Sequence, residues 1–306
     1  MTNTTIHRVL EEFGILVLPG IFDPLSARIA ERTGFPAGFV SGYSVAATTL
    51  GEPDIGLLTQ TEMVDRARHI CRRVKIPIIV DADTGYGDPL NVYRTVEELI
   101  SAGAAGCFLE DQVWPKRCGH MTGKQIIPRE GYLQKIQAAV EARGEHDFFI
   151  VARTDAVAVE NLDEAIARVT AARKIGADAS FVEAPESTEM LAEIGRRSPA
   201  PNVANMIEGG LTPVLSKDEL LQFGFQLVLY PLSGLFAATR AIEKVYERIR
   251  CDGTSSSEQD QLTSFSKFNE LIGIKEKSAL AARFATGTSG QQPNLTEGSE
   301  DVDGEK

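Results

Sequence analysis

The feature that most constrains the fold is a set of eight short, almost continuously apolar segments that recur along the chain with amphipathic stretches between them. They are ILVLPG from Ile15, AGFVSG from Ala37, IPIIVDAD from Ile76, GCFLEDQ from Gly106, FFIVARTD from Phe148, SFVEAP from Ser180, NVANMI from Asn202 and QLVLYPL from Gln226. A strand wetted on one side alternates in polarity, whereas continuous apolar character marks a parallel strand covered on both faces. The stretches between them, such as LNVYRTVEELISAG and LDEAIARVTAARKIG, carry helical spacing, and several close on a Gly suited to a helix C-terminus. Eight strand-helix units predict a closed (β/α)8 barrel, with an open doubly wound sheet as the alternative, because periodicity does not report closure. After the eighth helix, FSKFNELIGIKEKSALAARF reads as one or two further helices whose apolar face suits a neighbouring subunit. The 306 residues, 43% of them hydrophobic, suffice for one large core. Residues 1–285 are therefore read as one barrel domain with a helical appendage, and 286–306, rich in Gly, Ser and acids, as a disordered tail.

Charge and cysteine usage narrow the partners. A net charge of -12 works against a general polyanion binder, so nucleic acid is a poor fit. No run approaches the roughly 18 apolar residues of a membrane span. Cys71, Cys107, Cys118 and Cys251 lack CxxC spacing, and the start MTNTTIHRVLEEF lacks a basic, then apolar, leader. These features predict a soluble protein of a reducing, cytoplasmic compartment.

The strand ends carry a high density of reactive types: Ser41, Asp81 and Asp83, Glu110 and Asp111, Arg153 and Asp155, Glu183, Asn205 and Glu208. In a barrel these share the C-terminal rim, where active sites are built. Carboxylates converging on one mouth repel and titrate high unless a cation joins them. Oxygen ligation without matched His or Cys favours Mg2+, with Mn2+ possible, over Zn2+. DADTG resembles the start of a calcium loop but lacks its later Glu, and TGYGD has neither phosphate-loop spacing. In EDQVWPKRCGHMTGKQIIP, a polar and mobile excursion, the flanking Lys116, Arg117 and His120 are expected to lower the Cys118 pKa. That would make it a nucleophile or a proton carrier, against the bland reading of an inert loop thiol.

Taken together, SGYSVAATTLGEPD, VDADTGYGDPLN, LEDQVWPKRCGHMTGK, FFIVARTDA, FVEAP, NMIEGG and YPLSG resemble the isocitrate lyase and phosphoenolpyruvate mutase superfamily over roughly residues 6 to 285. Within it the resemblance is greatest to the branch of the petal death protein, 2,3-dimethylmalate lyase and the carboxyphosphonoenolpyruvate phosphonomutase-like proteins. The resemblance implies a barrel whose eighth helix is exchanged between subunits, in a homotetramer built as a dimer of dimers. It also implies Mg2+ on Asp81 directly, with Asp54, Asp83 and Glu110 assisting through water, and a closing loop that carries Cys118. Ser41, Gly42 and Tyr43 would hold a substrate carboxylate, with Lys116, Gly119, Arg153, Glu183 and Asn205 also lining the substrate, and Cys118, Arg153, Glu110 and His120 would serve the chemistry. The implied reaction is carbon-carbon cleavage of a 2-hydroxy dicarboxylate or tricarboxylate, 2-alkylmalate or methylisocitrate, to a 2-oxo acid and a carboxylate, with Cys118 as proton donor. A carboxyphosphonoenolpyruvate phosphonomutase or an oxaloacetate hydrolase is the alternative. Methylisocitrate lyases differ at Ile207–Gly210, at Phe236, where they carry an Arg, and at Phe39, where they carry a Tyr; oxaloacetate-hydrolysing members tend to have Ser at Pro231.

Overall fold

The computed structural model describes residues 5–285. Helix α1 (Thr5–Phe13) precedes β1 (Leu16–Ile21), which is followed by α2 (Pro24–Arg32), β2 (Gly38–Val40), α3 (Gly42–Leu50), α4 (Gln60–Cys71), β3 (Ile78–Asp81) and α5 (Pro89–Ala102). Next come β4 (Gly106–Leu109), α6 (Arg129–Arg143), β5 (Phe149–Thr154), α7 (Ala156–Val159), α8 (Leu162–Ile175), β6 (Ala179–Val182) and α9 (Thr188–Arg197). The chain then forms β7 (Asn202–Asn205), α10 (Lys217–Gln222), β8 (Leu227–Tyr230), α11 (Ser233–Asp252), α12 (Phe265–Leu271) and α13 (Ile274–Phe284). The eight strands are parallel and close in sequence order, β8 pairing back onto β1 from Leu16↔Leu227 to Pro19↔Tyr230. Closure removes the open-sheet alternative, and all eight apolar segments prove to be strands.

Alternation along each strand divides the core. Leu16, Leu18, Ile79, Phe108, Phe149, Val151, Phe181, Val203, Leu227 and Leu229 fill the barrel, and Ile6 of α1 joins them, plugging the end where the strands begin. Their neighbours, among them Val40, Val80 and Ile150, face the helices instead. Helix α5 illustrates how sequence sets an element. Asp88 accepts from the Leu90 and Asn91 N–H groups, Pro89 opens the first turn, and Gly103 at φ 91 ends it. Val92, Val96 and Leu99 lie buried on one face of that helix, each contributing roughly 1.5–3 kcal/mol.

One compact unit ends at Gln259 and a second begins at Asp260. In the first unit α11 is anomalous: it buries none of its 20 residues, leaving Phe236, Ile242, Tyr246 and Ile249 between 41% and 67% exposed. An apolar groove of about 780 Å3 opens along it, lined by Val17, Phe22, Leu25, Ile29, Tyr230 and Ala238 among others. The second unit contains α12 and α13, so the predicted one or two extra helices are two. The acidic segment 286–306 lies outside the described residues. Among those described, no helix is long and apolar enough to cross a membrane.

Candidate active site

The rim formed by the strand ends gathers the sequence-selected residues into one place. Asp81 closes β3, accepting the Gly42 N–H on Oδ2 at 3.3 Å and the Asp83 N–H on Oδ1 at 3.1 Å. Asp83 turns back through the left-handed region at φ 48, a conformation disfavoured for a residue with a side chain and concentrated at functional sites. Ser41 caps α3 by accepting the Ser44 N–H at 3.3 Å, so the start of that helix points into the mouth. Ser41 and Tyr43 line the cavity there, while the Gly42 N–H is turned to Asp81.

Lys116 enters this carboxylate group from the loop after β4. Its Nζ lies 2.5 Å from Asp54 Oδ1 and 2.6 Å from Asp83 Oδ1, with all three side chains at most 8% exposed. Burial disfavours its charge, but the surrounding carboxylates outweigh that and hold the ammonium well above its usual range. Burial pushes Asp83 up, partly offset by Lys116, and pushes Glu110 up, partly offset by Arg153. Glu110 Oε1 is buried with no hydrogen-bond partner among the described residues, while Oε2 lies 3.3 Å from Arg153 Nη1. Four carboxylates with an orphaned oxygen form a hard donor set that fits a divalent ion such as Mg2+. Among the described residues no three His, Cys, Asp or Glu side chains are grouped as direct ligands of a metal ion.

The opposite wall is built on Arg153. Its Nε lies 3.1 Å from Asp155 Oδ2 and 3.6 Å from Glu183 Oε2, and its guanidinium sits over the Phe181 ring at 5.5 Å. Glu183 also faces His120 Nε2 at 3.0 Å and accepts from Asn205 Nδ2 at 3.2 Å. Burial alone would raise Glu183, but Arg153 and His120 outweigh it and hold the carboxyl down at about 2. His120 Nδ1 accepts the Leu211 N–H at 2.9 Å, so a neutral ring carries its proton on Nε2, toward Glu183. Asn205 Oδ1 is buried without a partner, an acceptor facing this group.

Cys118 completes the cavity, which is lined also by Ser41, Tyr43, Asp54, Asp81, Gly119, Arg153 and Asn205 and, on its apolar side, by Phe39, Ile207, Leu229, Pro231 and Leu232. Gly119 is required for the close approach: a Cβ there would lie 2.5 Å from Glu183 Cγ and 2.6 Å from Arg153 Nη2. With the loop in this position the cavity encloses about 40 Å3. That is room for a water or two.

Here one expectation is corrected. Lys116 does act to lower the Cys118 thiol pKa, but burial, then Asp54, outweighs it and pushes the thiol up to about 11. Lys116 pairs with Asp54 and Asp83, and adjacency in sequence did not reveal that burial governs the thiol. Sequence reasoning also gave no role to Lys124, Phe181 or Leu211.

The model of the family described as phosphoenolpyruvate phosphomutase matches residues 6–250. This chain belongs to the phosphoenolpyruvate mutase and isocitrate lyase superfamily. It is 50% identical over 287 residues to carboxyvinyl-carboxyphosphonate phosphorylmutase, chloroplastic, of Arabidopsis thaliana, covering 92% of this chain and 85% of that one. It is 48% identical to the petal death protein of Dianthus caryophyllus, with 92% and 89% covered, and 41% identical to 2,3-dimethylmalate lyase of Eubacterium barkeri, with 94% and 99% covered. Among solved structures, oxaloacetate acetylhydrolase with 3,3-difluorooxalacetate superposes with a TM-score of 0.86 at 35% identity, covering 91% and 95%. Phosphonopyruvate hydrolase, in complex with oxalate and Mg2+, superposes at 0.82 with 29% identity, covering 93% and 99%. The chain is an enzyme of this superfamily, and relatives that it resembles are named as lyases.

Proposed function

We propose that the enzyme is a Mg2+-dependent carbon-carbon lyase that cleaves a 2-hydroxy dicarboxylate of the 2-alkylmalate type, or methylisocitrate, to a 2-oxo acid and a carboxylate. The observation that carries this reading is a half-buried thiol in the same cavity as the Arg153 guanidinium and the Asp81 carboxylate, which burial, then Asp54, pushes up to about 11. Asp81 would hold the ion, with Asp54, Asp83 and Glu110 reaching it through water. When bound, the ion supplies Lewis-acid polarisation of the substrate oxygens.

The chain's own groups account for the remaining steps. Tyr43, its phenol kept protonated by burial, and Ser41 donate to a substrate carboxylate. Arg153, fixed by Glu110, Asp155 and Glu183, faces the oxygen on which charge develops. A rim carboxylate takes the 2-hydroxyl proton. The hydroxyl carbon becomes a carbonyl as its bond to the next carbon breaks, and the electron pair left on that carbon is conjugated with its carboxylate. Cys118 Sγ–H then delivers the proton that ends the reaction. The apolar side of the cavity, Phe39, Ile207, Leu229, Pro231 and Leu232, suits an alkyl substituent better than a third carboxylate.

With Mg2+ present, purified protein is expected to release a 2-oxo acid from 2-alkylmalates in an NADH-linked assay, within a panel that also contains methylisocitrate, oxaloacetate and phosphonopyruvate-type compounds. Absence of a 2-oxo acid from every alkylmalate and from methylisocitrate would overturn the reading. Transfer of phosphorus between carbon and oxygen seen by phosphorus NMR would replace it with the phosphonomutase reading that the name of the Arabidopsis relative suggests. We place the enzyme in a reducing, cytoplasmic setting, consistent with four free cysteines.

The uncovered face of α11 and the apolar groove beside it support exchange of this helix, with the appendage behind it, between two copies of the chain, pairs of which would make a tetramer. Light scattering is expected to give a tetramer for the full chain, and truncation after Gln259 to weaken that assembly. A monodisperse monomer at micromolar concentration would refute the exchange.

A further inference from the structure

Lys124 sits in the loop beyond Cys118, yet its side chain is only 2% exposed, and it lines no part of the cavity. A lysine on a polar loop ordinarily keeps its ammonium in water, and burying that charge is unfavourable unless it is paired and hydrogen-bonded. Both conditions hold. Lys124 Nζ lies 3.0 Å from Asp155 Oδ1, whose side chain has no exposed surface, and donates to the carbonyl of Gly119. That carbonyl belongs to the residue that directly follows Cys118 in the chain.

Asp155 is itself fixed from behind. Its N–H donates to Asp111 Oδ1 at 2.9 Å, and Asp111 Oδ2 accepts from Arg168 Nη1 at 3.1 Å. The same Asp155 carboxylate takes Arg153 Nε at 3.1 Å and Nη2 at 3.3 Å. One anchored carboxylate therefore holds both the loop and the guanidinium. Unlike His120, which lines the cavity, and Lys116, which reaches the carboxylates Asp54 and Asp83, Lys124 contacts only Asp155 and the loop backbone.

We propose that Lys124 is a positioning residue that latches the loop: its ammonium ties the Gly119–His120 peptide to Asp155, setting the register of Cys118 against Arg153. The effect on turnover rests on the reading of Cys118 as the proton donor; the latch itself does not.

The test compares wild type with Lys124→Met and Lys124→Arg, following N-ethylmaleimide labelling of each cysteine by peptide mass spectrometry. Cys107 lies in β4 with no exposed surface and reports barrel opening. Loss of the latch should raise Cys118 labelling at least about tenfold through local opening while Cys107 stays protected, and Lys124→Arg should restore most of the protection. In turnover, Lys124→Met should lower kcat more than it changes KM. Cys118 labelled at the wild-type rate in Lys124→Met would overturn the proposal. So would Cys107 becoming reactive together with Cys118, which would assign Lys124 to barrel stability. Because labelling needs no turnover, an active Cys118→Ser variant would remove the proton-donor reading and leave the latch standing.

Discussion

Replacing Cys118 with serine is expected to lower kcat by about 10²–10⁴-fold, the range lost when a positioned acid is removed, with the melting temperature and Mg2+ binding little changed. Serine preserves the size of the side chain and its backbone contacts, including the Cys118 N–H donated to the Asp54 carbonyl at 3.1 Å. What it removes is acidity, since a hydroxyl gives up its proton far less readily than a thiol. The direction of the thiol shift matters here. Held up at about 11, Cys118 stays protonated through neutral pH and is ready to donate; a depressed pKa would have left a thiolate, the form of a nucleophile. Steady-state kinetics with each variant at pH 7 and pH 9 checks both points. Turnover within tenfold of wild type would remove Cys118 from the chemistry.

Arg153→Met should be more damaging still, because it acts on fold and catalysis together. Loss of a donor aimed at developing oxyanion charge lowers kcat by about 10²–10³-fold. It also leaves Glu110, Asp155 and Glu183, each at most 2% exposed, without their shared cation, and removing one partner of a buried pair costs about 3–5 kcal/mol. A pH signature separates the two effects. Glu183 is depressed from 4.5 to about 2 in the folded protein, so its stabilising contribution is complete above about pH 4.5 and is lost as pH falls from there toward 2. Without Arg153 the folded pKa rises, and the acid-unfolding midpoint should move upward. Denaturant melts of wild type and variant between pH 3 and 7 measure that shift; an unchanged midpoint would mean that Arg153 does not hold Glu183 down.

The barrel was legible because a parallel strand buried on both faces has no polar residue to hide it, and Gly, Pro and Asp punctuate the joins. Helix α3 was not legible as a helix. SGYSVAATTL is rich in β-branched and small polar residues of modest helix propensity, and it is held by the Ser41 cap and by Gly51 at φ 68 rather than by periodicity. Helix α1 was read only for the absence of a leader, although its Ile6 closes one end of the core. In the site, the carboxylates and Arg153 were legible one by one from their places at strand ends. Their pairing was not, because it depends on which way a loop folds back. Lys116 turns to Asp54 and Asp83, and burial of Cys118, then Asp54, outweighs the lysine and raises the thiol.

The most direct test of the account is cleavage of a 2,3-dimethylmalate in D2O with Mg2+, followed by NMR of both products. The account predicts pyruvate together with propionate carrying one deuterium at the carbon next to the carboxylate, in a single configuration, because Cys118 reaches the carbanion from one side of the cavity. Pyruvate accompanied by racemic label would mean that solvent, not Cys118, ends the reaction, and no pyruvate from either that substrate or any other 2-alkylmalate or methylisocitrate would contradict the lyase itself.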